Sequence, residues 1–215
     1  MQGKFYFRCA STVLLLGLAA ATPVQAAGVP FLAQAPFGEW SDLRQGQGCE
    51  EAAALMAVAW ARGNALDKTG GRAAIIAMSD WEKLNWGYFV DTSIQDTADR
   101  LIKIYLGYPK VEVRENITTD DILKALRSGS IVMTAINGKK TRIPYHLVPG
   151  PRHHMLLVIG YDQTNDAFIT HDPGSRRGAN LKISRWKLER ALQDYPSGDG
   201  SSRVALTPAM IVINR

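Results

Sequence analysis

The sequence predicts an α+β fold, with helices packed on an antiparallel sheet. Two observations carry this. Helical spacing dominates the first half of the chain, and short apolar or alternating runs dominate the second. Such segregation suits helices laid on one antiparallel sheet rather than alternating crossover units.

Each element has its own signal. Residues 49–62 are rich in Ala, Leu and Met and stop at Gly63-Asn64, which reads as a helix. Residues 72–86 continue in helical pattern, with Trp81 and Trp86 near the end. Ile94, Ala98, Leu101, Ile102 and Tyr105 give helical spacing over 93–106, ended by Gly107 and Pro109. Val111-Glu112-Val113 reads as a short strand. Thr118, with Asp121 three residues on, opens a helix through Leu126 that Gly129 stops. Residues 131–136 form an apolar strand, and Asn137-Gly138 is a turn signal. Residues 154–160 are almost wholly apolar after His154 and predict a buried strand. The polar run 162–166 then turns the chain into a second strand, 167–171, closed by Asp172-Pro173-Gly174. A helix over 184–194 and a strand over 203–213 complete the expectation.

The N-terminus has the three parts of a secretory signal: Lys4 and Arg8, the apolar run Val13–Ala20, and Val24-Gln25-Ala26 as a small-x-small site. The expected mature chain begins at Ala27, leaving residues 27–215 as one domain. The apolar run is shorter than the roughly 20 residues that a spanning helix needs. The expectation is therefore an exported protein, periplasmic or secreted, with no stable membrane insertion after cleavage. The formal net charge of +5 includes Lys4 and Arg8, so +3 remains on the mature part. That balance is too mild to argue for nucleic acid.

Export makes Cys49 informative. The chain has two cysteines, and Cys9 lies within the signal segment. Cys49 would then be the only thiol and could form no internal disulfide. It stands at the start of a predicted helix, where unpaired N–H groups favour a thiolate. Gly46 and Gly48 permit a tight turn into that helix. Glu50 and Glu51 follow at once and would oppose a thiolate if they pointed at it. A buried, inert cysteine is the bland alternative.

The hairpin 154–172 supplies possible partners. A turn centred on 163–164 places His154 opposite residue 172 or 174. In that register His154 and Asp172 share a face at one end of the hairpin, and His153 and His171 take the other face. A slip of one residue would reverse the assignment. An imidazole backed by a carboxylate is the pair a thiol nucleophile needs. The imidazole moves the proton, and the carboxylate fixes its tautomer.

Taken together, Val29-Pro30-Phe31-Leu32-Ala33-Gln34, Gly48-Cys49-Glu50-Glu51-Ala52, the block His154 to Asp162 and Asp172-Pro173-Gly174 resemble a known family. They look like the papain-like cysteine peptidase domains of the bacteriocin-processing type, above all their stand-alone exported relatives. The resemblance covers nearly the whole mature chain. It implies a papain-like fold in which the nucleophile helix packs on the sheet. It further implies Cys49 as nucleophile, His154 as general base and acid, and Asp172 as its orienter. Gln34 is the best match to the family's oxyanion-hole glutamine, while Gln45 and Gln47 lie nearer in sequence and stay open. The family's usual Cys-Gly is Cys49-Glu50 here. No phosphate-binding loop or membrane region accompanies the domain, so leader processing is not inherited.

The histidines also raise a metal reading. Adjacent His153 and His154 on a strand point to opposite faces and rarely share one ion, so no metal and no cofactor is expected. His146, in a proline-rich loop, reads as loop surface that borders the cleft. His153 and His171 read as polar-network or surface residues, and Arg176-Arg177 as a solvated turn. The expected function is an exported cysteine peptidase or amidase acting on a peptide or protein through a Cys49 thioester. The alternative is a catalytically silent papain-like domain that binds peptide or cell-wall material. Transfer to another acceptor would use the same acyl-enzyme.

Overall fold

The computed structural model describes residues 24–215. Most of the expected signal segment, with Cys9, lies outside the described residues. In chain order the elements are β1 (Val24–Gln25), α1 (Leu43–Gly46), α2 (Cys49–Arg62), α3 (Lys68–Trp86), α4 (Ile94–Asp96) continuing as a wider helix (Thr97–Tyr105), β2 (Val111–Glu115), α5 (Thr119–Arg127), β3 (Ile131–Ile136), α6 (Gly138–Thr141), β4 (His154–Asp162), β5 (Ala167–His171), β6 (Leu181–Ser184), α7 (Arg185–Ala191) and β7 (Ala209–Ile213). Helices dominate the first half and an antiparallel sheet the second, as the pattern predicts.

The sheet runs β2-β7-β3-β4-β5-β6, with β1 paired to β4 outside that path. Every pairing is antiparallel. β3 and β4 are central and buried almost throughout, which is why they read as unbroken apolar runs. One face carries Met133, Met155, Leu157 and Ile211 and packs against α2. The other carries Val132, Leu156, Val158 and Met210 and packs against α5 and α7. Alternate residues of one strand therefore serve two cores.

α2 is buried along nearly its whole length, so an alanine-rich helix is required there. Ala52, Ala53 and Ala57 expose nothing, and their small side chains let the helix lie close against β4. Gly63 ends it in the left-handed conformation, its N–H reaching Ala59 and Trp60 oxygens. α5 opens with the expected capping box of Thr118 and Asp121.

Several expectations need correction. The 93–106 helix is wound wider than an α-helix after Asp96, with the Leu106 N–H on the Leu101 oxygen, five residues back. Asn137-Gly138 is not a hairpin turn. Asn137 caps α6, its side chain accepting from the Lys139 N–H. The helix predicted over 184–194 is shorter and is preceded by β6, an edge strand missed in the sequence. The last strand starts at Ala209 rather than 203, after Pro208, which has no N–H to give a ladder. Within the expected signal segment, Val24 and Gln25 pair with Tyr161 and Gly160, and the Ala26 N–H reaches the Ile159 oxygen at 2.9 Å. No described helix is long and apolar enough to cross a membrane.

Candidate active site

The N-terminus of α2 meets the start of β4, and a cleft of about 850 Å³ opens there. Gln34, Gln47, Cys49, His146, His153 and His154 are among its lining residues. Gly48 caps α2. A Cβ on it would stand 2.5 Å from the Arg44 oxygen and 2.9 Å from Ile75 Cγ2, so only glycine brings the chain this tightly into Cys49.

The β4–β5 register pairs Leu157 with His171, which puts position 174 opposite His154 and gives Asp172 the parity of His154. This is the register that joins the two. His154 and Asp172 are both buried, and His154 Nε2 lies 2.6 Å from Asp172 Oδ1. Burial by itself would raise the Asp172 carboxyl. The His154 and His146 imidazoles outweigh it and hold the group well below the usual carboxylate range. A charged Asp172 requires the hydrogen on Nε2 of His154, which leaves Nδ1 as the basic nitrogen. The Gly174 N–H adds a bond to Oδ1 at 2.9 Å.

His146 corrects the sequence reading, which left it as loop surface. Its side chain is nearly buried, and Nε2 lies 2.7 Å from Asp172 Oδ2, although poorly aligned for a hydrogen bond. Its ring meets that of His154 edge-on, centroids 5.0 Å apart. A Cβ on Gly174 would fall 2.7 Å from His146 Nε2 and 2.9 Å from His154 Cε1, so both imidazoles reach one carboxylate because residue 174 has no side chain. The only advance signal was the company of Pro144, Pro149 and Pro151, which stiffens this loop.

His146, His154 and Asp172 bring one ligand atom each within 4.8 Å of one another, the donor set of a three-ligand metal site. Of the four histidines that raise the metal reading, His146, His153, His154 and His171, two converge here, with Asp172 as the third donor. Both nitrogens stand 2.6–2.7 Å from opposite oxygens of one carboxylate, but only His154 is aligned to hydrogen-bond it.

Cys49 is buried, and its Sγ donates to Glu50 Oε2 at 3.0 Å. The expected activation by the helix N-terminus is outweighed. Burial first, then the Glu50 charge, raises the thiol well above its ordinary value, and the Met155 backbone N–H opposes them. Glu50 is itself buried, and Tyr195 donates to its Oε1 at 2.7 Å. Burial lifts Glu50 to about 7, against the bonds from Cys49 and Tyr195. Behind it lie Glu51, raised by burial and by the Glu82 charge, and Glu82, raised by burial to about 8. Glu50 and Tyr195 belong to the site, and sequence reasoning missed Tyr195 altogether.

His153 does not turn to the far face. It lines the cleft, Nδ1 2.7 Å from Asp91 Oδ2, with its ring stacked on Tyr195 at 4.6 Å. His171 lies outside the site, beneath Phe31, between the Val29 oxygen and the Asn180 N–H. The glutamines separate cleanly. Gln34 is buried and faces the cleft. Its Nε2 donates to the Gly46 oxygen at 2.8 Å, which leaves one N–H free, and its backbone N–H bonds the Pro173 oxygen at 2.9 Å. Gln45 is fully buried away from the cleft, and Gln47 is exposed at the rim.

The arrangement unites a thiol, an imidazole–carboxylate pair and a side-chain amide around one cleft. None of the curated proteins compared matches the chain. Among solved structures, a candidate C39-like peptidase from Bacillus anthracis shares its fold at TM-score 0.57 and 18% identity, over 91% of this chain and 99% of that one. A family model described as the Peptidase_C39 like family matches residues 26–195. The chain belongs to this papain-like cysteine peptidase family.

Proposed function

We propose that the protein is an exported cysteine peptidase or amidase that cleaves its substrate through a Cys49 thioester. The observation that carries the reading is the His154–Asp172 pair, at 2.6 Å: His154 lines the cleft that also holds Cys49, and Asp172 is buried behind it. Family membership supports the reaction class.

In this reading the Cys49 proton passes to Nδ1 of His154, and the sulfur attacks the scissile carbonyl carbon. The oxyanion accepts from the Cys49 backbone N–H and the free N–H of Gln34 Nε2. His154 then gives its proton to the leaving amine, and the thioester remains. Water, deprotonated by His154, releases the acid and restores the thiol. Asp172 holds the tautomer and balances the imidazolium throughout.

The test is turnover of a peptide mixture by purified protein, followed by mass spectrometry, with Cys49→Ala as control. New cleavage products that vanish in the variant support the reading. Binding without cleavage favours the silent-domain alternative. Export is tested by sequencing the N-terminus of protein recovered outside the cytoplasm. Cleavage after Ala26 would remove β1 from the edge of β4.

A further inference from the structure

The cleft has a charge asymmetry that the reaction chemistry does not use. Its lining holds no aspartate or glutamate, and it does hold Arg176 and Arg177. Elsewhere Arg44, Arg72, Arg100, Arg114 and Arg185 each pair with a carboxylate at 2.7–3.2 Å. Arg176 and Arg177, like Arg62 and Arg190, have no such partner among the described residues, but they are the arginines that line the cleft.

Both arginines are fixed relative to the catalytic carboxylate. They lie on the loop that follows Asp172, and that loop is closed on itself. The Asp172 N–H bonds the Gly178 oxygen at 2.9 Å, and the Gly178 N–H bonds the Ser175 oxygen at 3.0 Å. Ser175 Oγ accepts from the Arg177 N–H at 3.1 Å. The Arg177 guanidinium rests over the Tyr145 ring, 5.2 Å from its centroid. The Arg176 guanidinium lies against Gly38, where a Cβ would come within 3.6 Å of its Cζ. A guanidinium braced in this way loses little freedom when it takes a carboxylate, and its planar fork suits that group. Exposed apolar side chains stand beside the pair: Trp40 on one segment, Leu147 and Val148 on another.

We propose that the cleft takes an acidic peptide, with side-chain carboxylates bound by Arg176 and Arg177 and flanking apolar residues seated against Trp40, Leu147 and Val148. The proposal rests on the peptidase reading of the same site and narrows its substrate class. A lone exposed ion pair contributes little, but two adjacent guanidiniums in a cleft whose lining holds no acid favour carboxylates over basic side chains, while Asp172 behind the lining is already taken up by its histidines.

Binding separates this claim from the hydrolytic one. A short fluorescent peptide, capped at both ends, carries two glutamates between apolar residues. A second carries glutamines in their place. Anisotropy against the Cys49→Ala protein at low salt measures affinity without cleavage. The glutamate peptide is expected to bind roughly tenfold tighter. The double variant Arg176→Ala, Arg177→Ala loses that preference, and Arg190→Ala, whose guanidinium lies over Trp186 away from the cleft, keeps it. Equal affinity for both peptides, no binding of either, or a preference that survives the double variant overturns the proposal. Turnover by the unaltered protein reports separately on the peptidase reading.

Discussion

Cys49 Sγ donates to Glu50 Oε2 at 3.0 Å, so the proposed nucleophile rests as a thiol held by the carboxylate of its own neighbour. Tyr195 holds the far oxygen of that carboxylate. A negative charge beside a thiol disfavours the thiolate. Glu50→Gln removes the charge and keeps the shape. The thiol pKa should fall, though burial still holds it up, and alkylation at neutral pH should rise. Alkylation against pH, read by intact mass, checks this. A slower variant would make Glu50 the base that activates Cys49 instead.

Stability should fall as the solution becomes alkaline. Burial raises Glu50 to about 7 and Glu82 to about 8, so between the ordinary glutamate value and these values the native state holds protons that the unfolded chain has lost. Their stabilisation is full below pH 4.5 and is lost as pH rises through 7 to 8. Asp172 works in the opposite sense: its lowered pKa stabilises the fold above pH 3.8 and gives that up in strong acid. Thermal unfolding should therefore peak in mild acid and lose on the order of a few kcal/mol by pH 8. Glu82→Gln should flatten the alkaline fall.

Asp172→Asn tests the proposed orienting role of this carboxylate. The amide cannot stabilise an imidazolium and allows the wrong tautomer of His154, so kcat should fall by about 10²–10⁴. His146→Ala, which removes the second imidazole from Asp172 Oδ2, should cost far less. Steady-state kinetics on the two variants, with circular dichroism to verify the fold, compares them. A larger loss in His146→Ala would move the catalytic pair from His154 to His146.

Three glutamines make a graded test of the oxyanion hole. Gln34→Ala should lower kcat by about 10²–10³ with little change in KM. Gln47→Ala, at the exposed rim, should leave kcat nearly unchanged. Gln45→Ala, wholly buried, should lower the melting temperature rather than kcat in the folded fraction. Loss of kcat with Gln47 rather than Gln34 would reassign the donor.

Much of this was legible because local rules and tertiary context agree. The alanine-rich run after Gly48 reads as a helix by propensity, and its alanines also let it lie close against the sheet. The Thr118–Asp121 box and the β3, β4 and β5 runs read correctly for similar reasons. His154 and Asp172 were legible as a pair because strand parity fixes which residues meet, given one turn position. The misses have a common cause in long-range contacts. Nothing local tells that Tyr195 reaches Glu50 across 145 positions, or that His146 closes on Asp172. Glu50 was visible as a threat to a thiolate, but only its burial shows that the threat is realised. β6 escaped because a four-residue edge strand with a single fully buried residue carries too short an alternation to stand out beside α7.

The most direct measurement is intact-mass spectrometry of protein quenched during turnover of an activated peptide ester. The account predicts an acyl adduct confined to Cys49, absent from Cys49→Ala and slow to form and to clear in His154→Ala. Turnover that persists in Cys49→Ala, with no adduct on the unaltered protein, would contradict it.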